Sequence, residues 1–314
     1  MKVAILDLGT NTFNIFIAEL FADKSFLKIY KSKISVKLGQ GGINKNFIEE
    51  APFKRGIRAL NKHKKTIEKF GAEKIFAFAT SAIRSASNGK HFIKVAKETT
   101  GIDIRVISGE REAELIYYGV RSAVKMNETP SLIIDIGGGS TEFIIANNKE
   151  ILWKQSFLLG AARLLEKFNP SDPIKETEIK QIENYLEKNL QPLFSVFESP
   201  LVKETGGCFE LIGSSGSFDS LAEMIAHRFY TIDIIKGKTY YEFNLEDCKK
   251  IYEIIIKSTY KERLHMDGLT KMRVDMIVVS AIIVDYIFRR LELNRMRLSR
   301  YSLKEGVLWE LLHS

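Results

Sequence analysis

Short runs rich in β-branched and aromatic residues open the chain and predict three strands, Val3–Asp7, Phe13–Leu20 and Phe26–Lys37. Helical spacing of apolar positions follows from about Phe47 to Phe70. After it come a strand over Ile75–Ala79, a helix near Lys90–Thr99, a strand over Ile102–Ile107 and a helix from Glu110 to about Val124. Past Pro130 the plan restarts with strands at Leu132–Ile136, Thr141–Ala146 and Ile151–Phe157, after which helices dominate to the end. The pattern is α/β in two parts, 1–125 and 126–314, and 314 residues exceed what one ordinary core organises.

The restart is a repeat. Asp7-Leu8-Gly9-Thr10-Asn11-Thr12 and Asp135-Ile136-Gly137-Gly138-Gly139-Ser140 stand 128 residues apart, and each is a strand ending in Asp, a glycine turn, a hydroxyl residue and another strand. The match runs on through Ile17 with Ile145 and Ala18 with Ala146. A duplicated strand-turn-strand unit predicts two similar lobes that face each other and hold a ligand between their turns.

Glycine lets backbone N–H groups converge on an anion that approaches closely, so Gly9 and the run Gly137, Gly138 and Gly139 suit a phosphate chain. Thr10, Asn11, Thr12, Ser140 and Thr141 add side-chain donors. Asp7 and Asp135 each end an apolar strand, where a carboxylate needs a partner or a metal; with Glu142 they form a candidate magnesium set. Arg84, in Thr80-Ser81-Ala82-Ile83-Arg84 directly after a strand, is placed to clamp phosphate oxygens. Gly213, Ser214 and Ser215, between a strand and a helix, offer further N–H and hydroxyl donors. Hydrolysis also needs a group to direct water, and Glu110, Glu112 and Glu114 all open one helix, where the helix dipole favours acidic residues in any case. Position alone does not select among them.

Composition narrows the setting. A net charge of +8 favours capture of polyanions, although no basic run has the length of a nucleic-acid-binding tail, and no specific nucleic acid is indicated. Lys62 to Lys65 and Arg289, Arg290, Arg295, Arg297 and Arg300 read as solvated faces in or beside helices. Cys208 and Cys248, the two cysteines, lack metal-ligand spacing, and the five histidines are scattered, so a reduced cytoplasmic protein without a histidine metal site is expected. The longest apolar stretch, Met276 to Val284, is too short to span a membrane.

Together these motifs resemble the exopolyphosphatase/guanosine pentaphosphate phosphatase family, within the superfamily of actin, sugar kinases and heat-shock chaperones. The resemblance rests on the two Asp-Gly turns, on Ala79 to Arg84, on Ile107-Ser108-Gly109-Glu110-Arg111-Glu112-Ala113, and on Lys304-Glu305-Gly306-Val307-Leu308. It implies two ribonuclease-H-like lobes with the active site in the cleft between them, Mg²⁺ as cofactor, and Glu112 as the base. The substrate implied is inorganic polyphosphate or guanosine pentaphosphate, and a homodimer is compatible with it. The family commonly has Glu where this chain has Arg111, and Ser at Thr10 and Thr12. Longer members carry an additional helical domain beyond these lobes, so a preference for short or medium polyphosphate is expected.

Overall fold

The computed structural model describes residues 1–208 and 210–313. The first sheet is built from β1 (Lys2–Leu8), β2 (Thr12–Leu20), β3 (Phe26–Ser35), β4 (Lys74–Ala79) and β5 (Ile104–Val106), in the order β3-β2-β1-β4-β5. Strands β1 to β3 form an antiparallel meander and β4 and β5 run parallel to β1. Helices α1 (Glu50–Phe70), α2 (Ser81–Ser85), α3 (Gly89–Thr100) and α4 (Gly109–Ala123) link and cover it.

The second sheet repeats this plan. Strands β6 (Ser131–Ile136), β7 (Thr141–Ala146) and β8 (Ile151–Phe157) form the meander. Helices α5 (Ala161–Phe168), α6 (Glu176–Asn189), α7 (Gln191–Phe197) and α8 (Pro200–Lys203) lead to β9 (Glu210–Ser214), which pairs parallel to β6. After α9 (Ser215–Phe229), β10 (Tyr240–Glu242), α10 (Leu245–Lys257), α11 (Tyr260–Arg263) and α12 (Ile277–Arg290) comes β11 (Arg295–Ser299), then α13 (Leu303–His313). The order β10-β11-β9-β6-β7-β8 contains the first lobe's arrangement plus an antiparallel edge strand. The two ribonuclease-H-like lobes are therefore visible in the topology as well as in the turn motifs.

Each lobe buries its own core, one around Leu6, Phe13 and Phe92, the other around Phe143, Phe218 and Ile282. A third apolar cluster joins them: Val3 and Ile5 of the first sheet, Ile133 and Ile144 of the second, and the buried faces of α4 and α13. The two helices thus form the hinge layer between the sheets. Their backbones nearly touch, since a Cβ on Gly306 would stand 1.7 Å from the Leu115 carbonyl oxygen and one on Gly119 2.1 Å from that of Ser302.

The basic run near the C-terminus corrects the sequence reading. Arg295 and Arg297 lie on a strand rather than beside a helix face, and Arg297 is buried with its guanidinium on Glu210. Both cysteines are free thiols. No helix among the described residues is long and apolar enough to cross a membrane.

Candidate active site

The two Asp-Gly turns meet at the mouth of a cavity of about 210 Å³ between the lobes. Gly138 and Gly139 face Thr10, Asn11 and Ser81 so closely that a Cβ on Gly139 would lie 2.5 Å from Thr10 Oγ1 and 2.7 Å from Ser81 Oγ.

In each turn the carbonyls of the middle residues are taken up by neighbouring donors. In the first, the Thr10 carbonyl accepts from Gly39 N and the Asn11 carbonyl from Val36 N and Lys37 N. In the second, the carbonyls of Gly137 and Gly138 accept from the first N–H groups of α5 (Ala161, Ala162 and Arg163), and the Gly139 carbonyl accepts from Arg163 Nε at 3.0 Å. The N–H groups of Thr10, Asn11, Gly138 and Gly139 donate to no described residue. The buried hydroxyls of Thr10 and Ser81 likewise have no partner among the described residues. Buried and half-buried donors left unmade are costly, and two facing rows of them fit an anion with several oxygens.

Glu112 comes to this cavity from the first turn of α4, which begins where the Ser108 hydroxyl accepts from Arg111 N. One of its oxygens accepts from Arg84 Nη1 at 2.8 Å, and the other has no donor among the described residues. Burial, and then the neighbouring Glu142 carboxylate, push the Glu112 carboxyl well above the usual range, against the pull of Arg84. Glu110 and Glu114 do not line the cavity; Glu114 instead pairs with Arg111 at 2.8 Å. The three acidic residues that sequence left equivalent are thereby separated by helix geometry.

Asp7 and Asp135 also reach the cavity wall. Asp7 accepts from Asn14 Nδ2 at 2.9 Å, and Asp135 from the hydroxyls of Ser214 at 2.8 Å and Ser302 at 2.6 Å. Burial raises the Asp7 carboxyl above its ordinary value, with Lys304 opposing the rise. Glu142, opposite Asp135 across the β6–β7 pair, is 1% exposed and accepts from Ser156 Oγ at 2.7 Å; burial and Asp135 raise it to about 7. Among the described residues no group of three metal-ligating side chains assembles. Two cavity-lining carboxylates fit a magnesium ion that shares its coordination with phosphate oxygens and water, and do not fit an all-protein cage.

Gly9, Thr10, Asn11, Thr12, Gly137, Gly138, Gly139, Ser140 and Ser215 all line the cavity. Four expected binders and one expected metal ligand do not. Arg84 is not in the lining and directs its Nη1 to Glu112 and to the Ile107 carbonyl. Thr141 turns its hydroxyl to the Leu159 carbonyl, Ser214 gives its own to Asp135, and Gly213 is covered by the Phe218 ring. Glu142, paired in register with Asp135, does not itself line the cavity and accepts from Ser156 Oγ.

Sequence reading missed the cavity's cations. Lys31 and Lys33 project from β3, Arg273 precedes α12, Arg300 follows β11 and Lys304 opens α13. The alternation of Lys31 and Lys33 on a predicted strand put both on one face, which was the one signal available.

The Ppx/GppA phosphatase family model matches residues 17–314. An exopolyphosphatase from Cytophaga hutchinsonii, known by crystal structure, superposes with a TM-score of 0.92 at 37% identity, covering 100% of this chain and 98% of that one. The Aquifex aeolicus family member superposes at 0.79 and 25% identity, covering 100% and 98%. A Haemophilus influenzae protein with a provisional exopolyphosphatase name is 26% identical over 310 residues, 99% of this chain and 91% of its own. A bifunctional 3-dehydroquinate synthase/phosphatase of Fusobacterium nucleatum is 37% identical over 202 residues, which are 60% of this chain and 30% of that longer protein.

Proposed function

The chain belongs to the Ppx/GppA phosphatase family, and from that footing we propose that it is an exopolyphosphatase, a phosphoanhydride hydrolase that removes the terminal phosphate of inorganic polyphosphate. The observation that carries the reading is the pair of facing turns in which the N–H groups of Thr10, Asn11, Gly138 and Gly139 and the Thr10 hydroxyl have no partner among the described residues, beside a cavity lined by five cations. That wall fits a repeating anion, and the names of the Cytophaga and Haemophilus relatives agree with it.

The terminal phosphate sits between the turn of Gly9, Thr10, Asn11 and Thr12 and the turn of Gly137, Gly138, Gly139 and Ser140, with Ser81 and Ser215 at its edges. Lys31, Lys33, Arg273 and Arg300 hold the following phosphates and set the direction in which the chain leaves the cleft. The free oxygen of Glu112 takes a proton from water as that water's oxygen bonds to the terminal phosphorus; the bridging P–O bond breaks, and orthophosphate and a chain shorter by one unit leave. A raised carboxyl is the better base near neutral pH, and Arg84 fixes its orientation. Mg²⁺, held by Asp7 and Asp135 together with substrate oxygens, would neutralise charge on the phosphates. Glu142, Ser214 and Thr141 act one layer back by positioning Asp135, Glu112 and the turn. The setting is the cytoplasm, where polyanion and magnesium coexist.

The test is orthophosphate release from medium-length polyphosphate and from guanosine pentaphosphate in parallel, with and without Mg²⁺, for the wild type and Glu112→Gln. Magnesium-dependent release that favours polyphosphate and collapses in the variant supports the reading. Faster turnover of guanosine pentaphosphate moves the substrate, and no release from either removes the enzyme.

A further inference from the structure

The motif Lys304-Glu305-Gly306-Val307-Leu308 brings one of the cavity's cations to the site. Its glycine explains its place. Gly306 brings α13 against the Leu115 carbonyl of α4 with no room for a side chain, so the first turn of α13 is fixed to the helix that carries Glu112. Lys304 and Glu112 therefore enter one cavity from two locked helices.

Lys304 is 9% exposed and lines the cavity. Its closest carboxylate contact is Asp7 Oδ2 at 4.0 Å, beyond hydrogen-bond reach, and its ammonium donates to no described residue. The carboxylates around it are each served by other donors. Glu305 accepts from Lys31 Nζ at 3.1 Å and Ser302 N at 3.0 Å, Asp135 from two serine hydroxyls, and Asp7 from Asn14. Burial alone would discharge Lys304, but Glu305, Asp7 and Asp135 outweigh it and keep the ammonium charged. The result is a fixed cation with three unused donors at the base of an anion-binding cavity. A buried ammonium needed only to balance Asp7 would be expected to hydrogen-bond it.

We infer that Lys304 is a further catalytic residue, one that donates to the non-bridging oxygens of the terminal phosphate and stabilises the charge spread over them as the bridging bond breaks. This rests on the phosphohydrolase reading above.

The experiment compares wild type, Lys304→Gln and Lys304→Arg in tripolyphosphate turnover and in competitive inhibition by orthophosphate, with thermal melting as the folding control. Lys304→Gln is expected to lose on the order of 10²–10³ in kcat/KM, mostly in kcat, and to bind orthophosphate about tenfold more weakly. A folded Lys304→Gln with both quantities within about threefold of wild type overturns the inference. Should that variant fail to fold, Lys304→Arg decides: it keeps the charge but not the compact geometry, so a folded protein with wild-type kcat and orthophosphate inhibition overturns a direct contact, whereas a loss of at least about tenfold in kcat supports it. If the wild type releases no phosphate yet binds orthophosphate better than Lys304→Gln does, the hydrolase reading fails and the anion contact of Lys304 stands.

Discussion

Gly139→Ala puts one methyl group where the two turns meet. The backbone at Gly139 lies outside the left-handed region, so alanine meets no conformational barrier there and the effect is steric. Its Cβ would stand 2.5 Å from Thr10 Oγ1, 2.7 Å from Ser81 Oγ and 3.0 Å from Ser81 Cβ, where ordinary contact begins near 3.4 Å. The turns must part by roughly 0.9 Å, or the Thr10 and Ser81 hydroxyls must rotate out of the anion's place. A misplacement near 1 Å costs about 10²-fold, so kcat/KM for tripolyphosphate should fall by about that factor, equivalent to ~2.7 kcal/mol at 1.36 kcal/mol per decade. The assay is steady-state phosphate release with melting temperature measured in parallel. Gly101→Ala serves as the control: Gly101 has φ +70° with nothing within 4 Å of the added Cβ, so it should lose roughly 1 kcal/mol of stability and no activity. A folded Gly139→Ala enzyme within threefold of wild type would refute the placement of the phosphate between the turns.

Glu112→Gln should lower kcat by about 10²–10⁴ and remove the acid limb of the pH–rate profile, which lies above the ordinary carboxylate range because the folded-state carboxyl is raised. The raised value has a stability sign: the contribution of Glu112 is fully present below the unfolded carboxylate pKa and is lost as pH rises through the folded one, so the variant should melt higher than wild type near neutral pH and equally near pH 4; identical melting differences at both pH values would contradict this. Chelation should abolish turnover and leave the melting temperature almost unmoved, since no three-ligand metal cluster assembles among the described residues and the ion enters with substrate. Lys33→Gln and Arg300→Gln should each raise KM several-fold with kcat nearly retained, and the KM of wild type should climb with ionic strength; a salt-independent KM would remove these cations from the chain path.

The duplicated turn was legible because it is local: a strand, an Asp and glycines in register twice, and the sheet order confirms the repeat. Strand and helix positions over the first 157 residues follow the hydrophobic pattern closely, apart from β5, which is three residues long where six were expected. The C-terminal strands were harder to see, because β11 carries two arginines whose charge is absorbed by Glu210 and Glu242 on neighbouring strands, a pairing that exists only in the folded sheet. The cations of the cleft were hidden for the same reason, coming from β3 and, more than 200 residues later, from three places between Arg273 and Lys304. Arg84, expected in a loop after β4, lies instead in the short helix α2, with its Nη1 on Glu112.

End-wise hydrolysis is checked by following a polyphosphate of defined length through a single turnover with magnesium and resolving every product by chain length. Orthophosphate together with a chain one phosphate shorter, and no other species in the first turnover, is the expected result. Fragments of intermediate length from internal cleavage, or an intact chain alongside full binding, would contradict it.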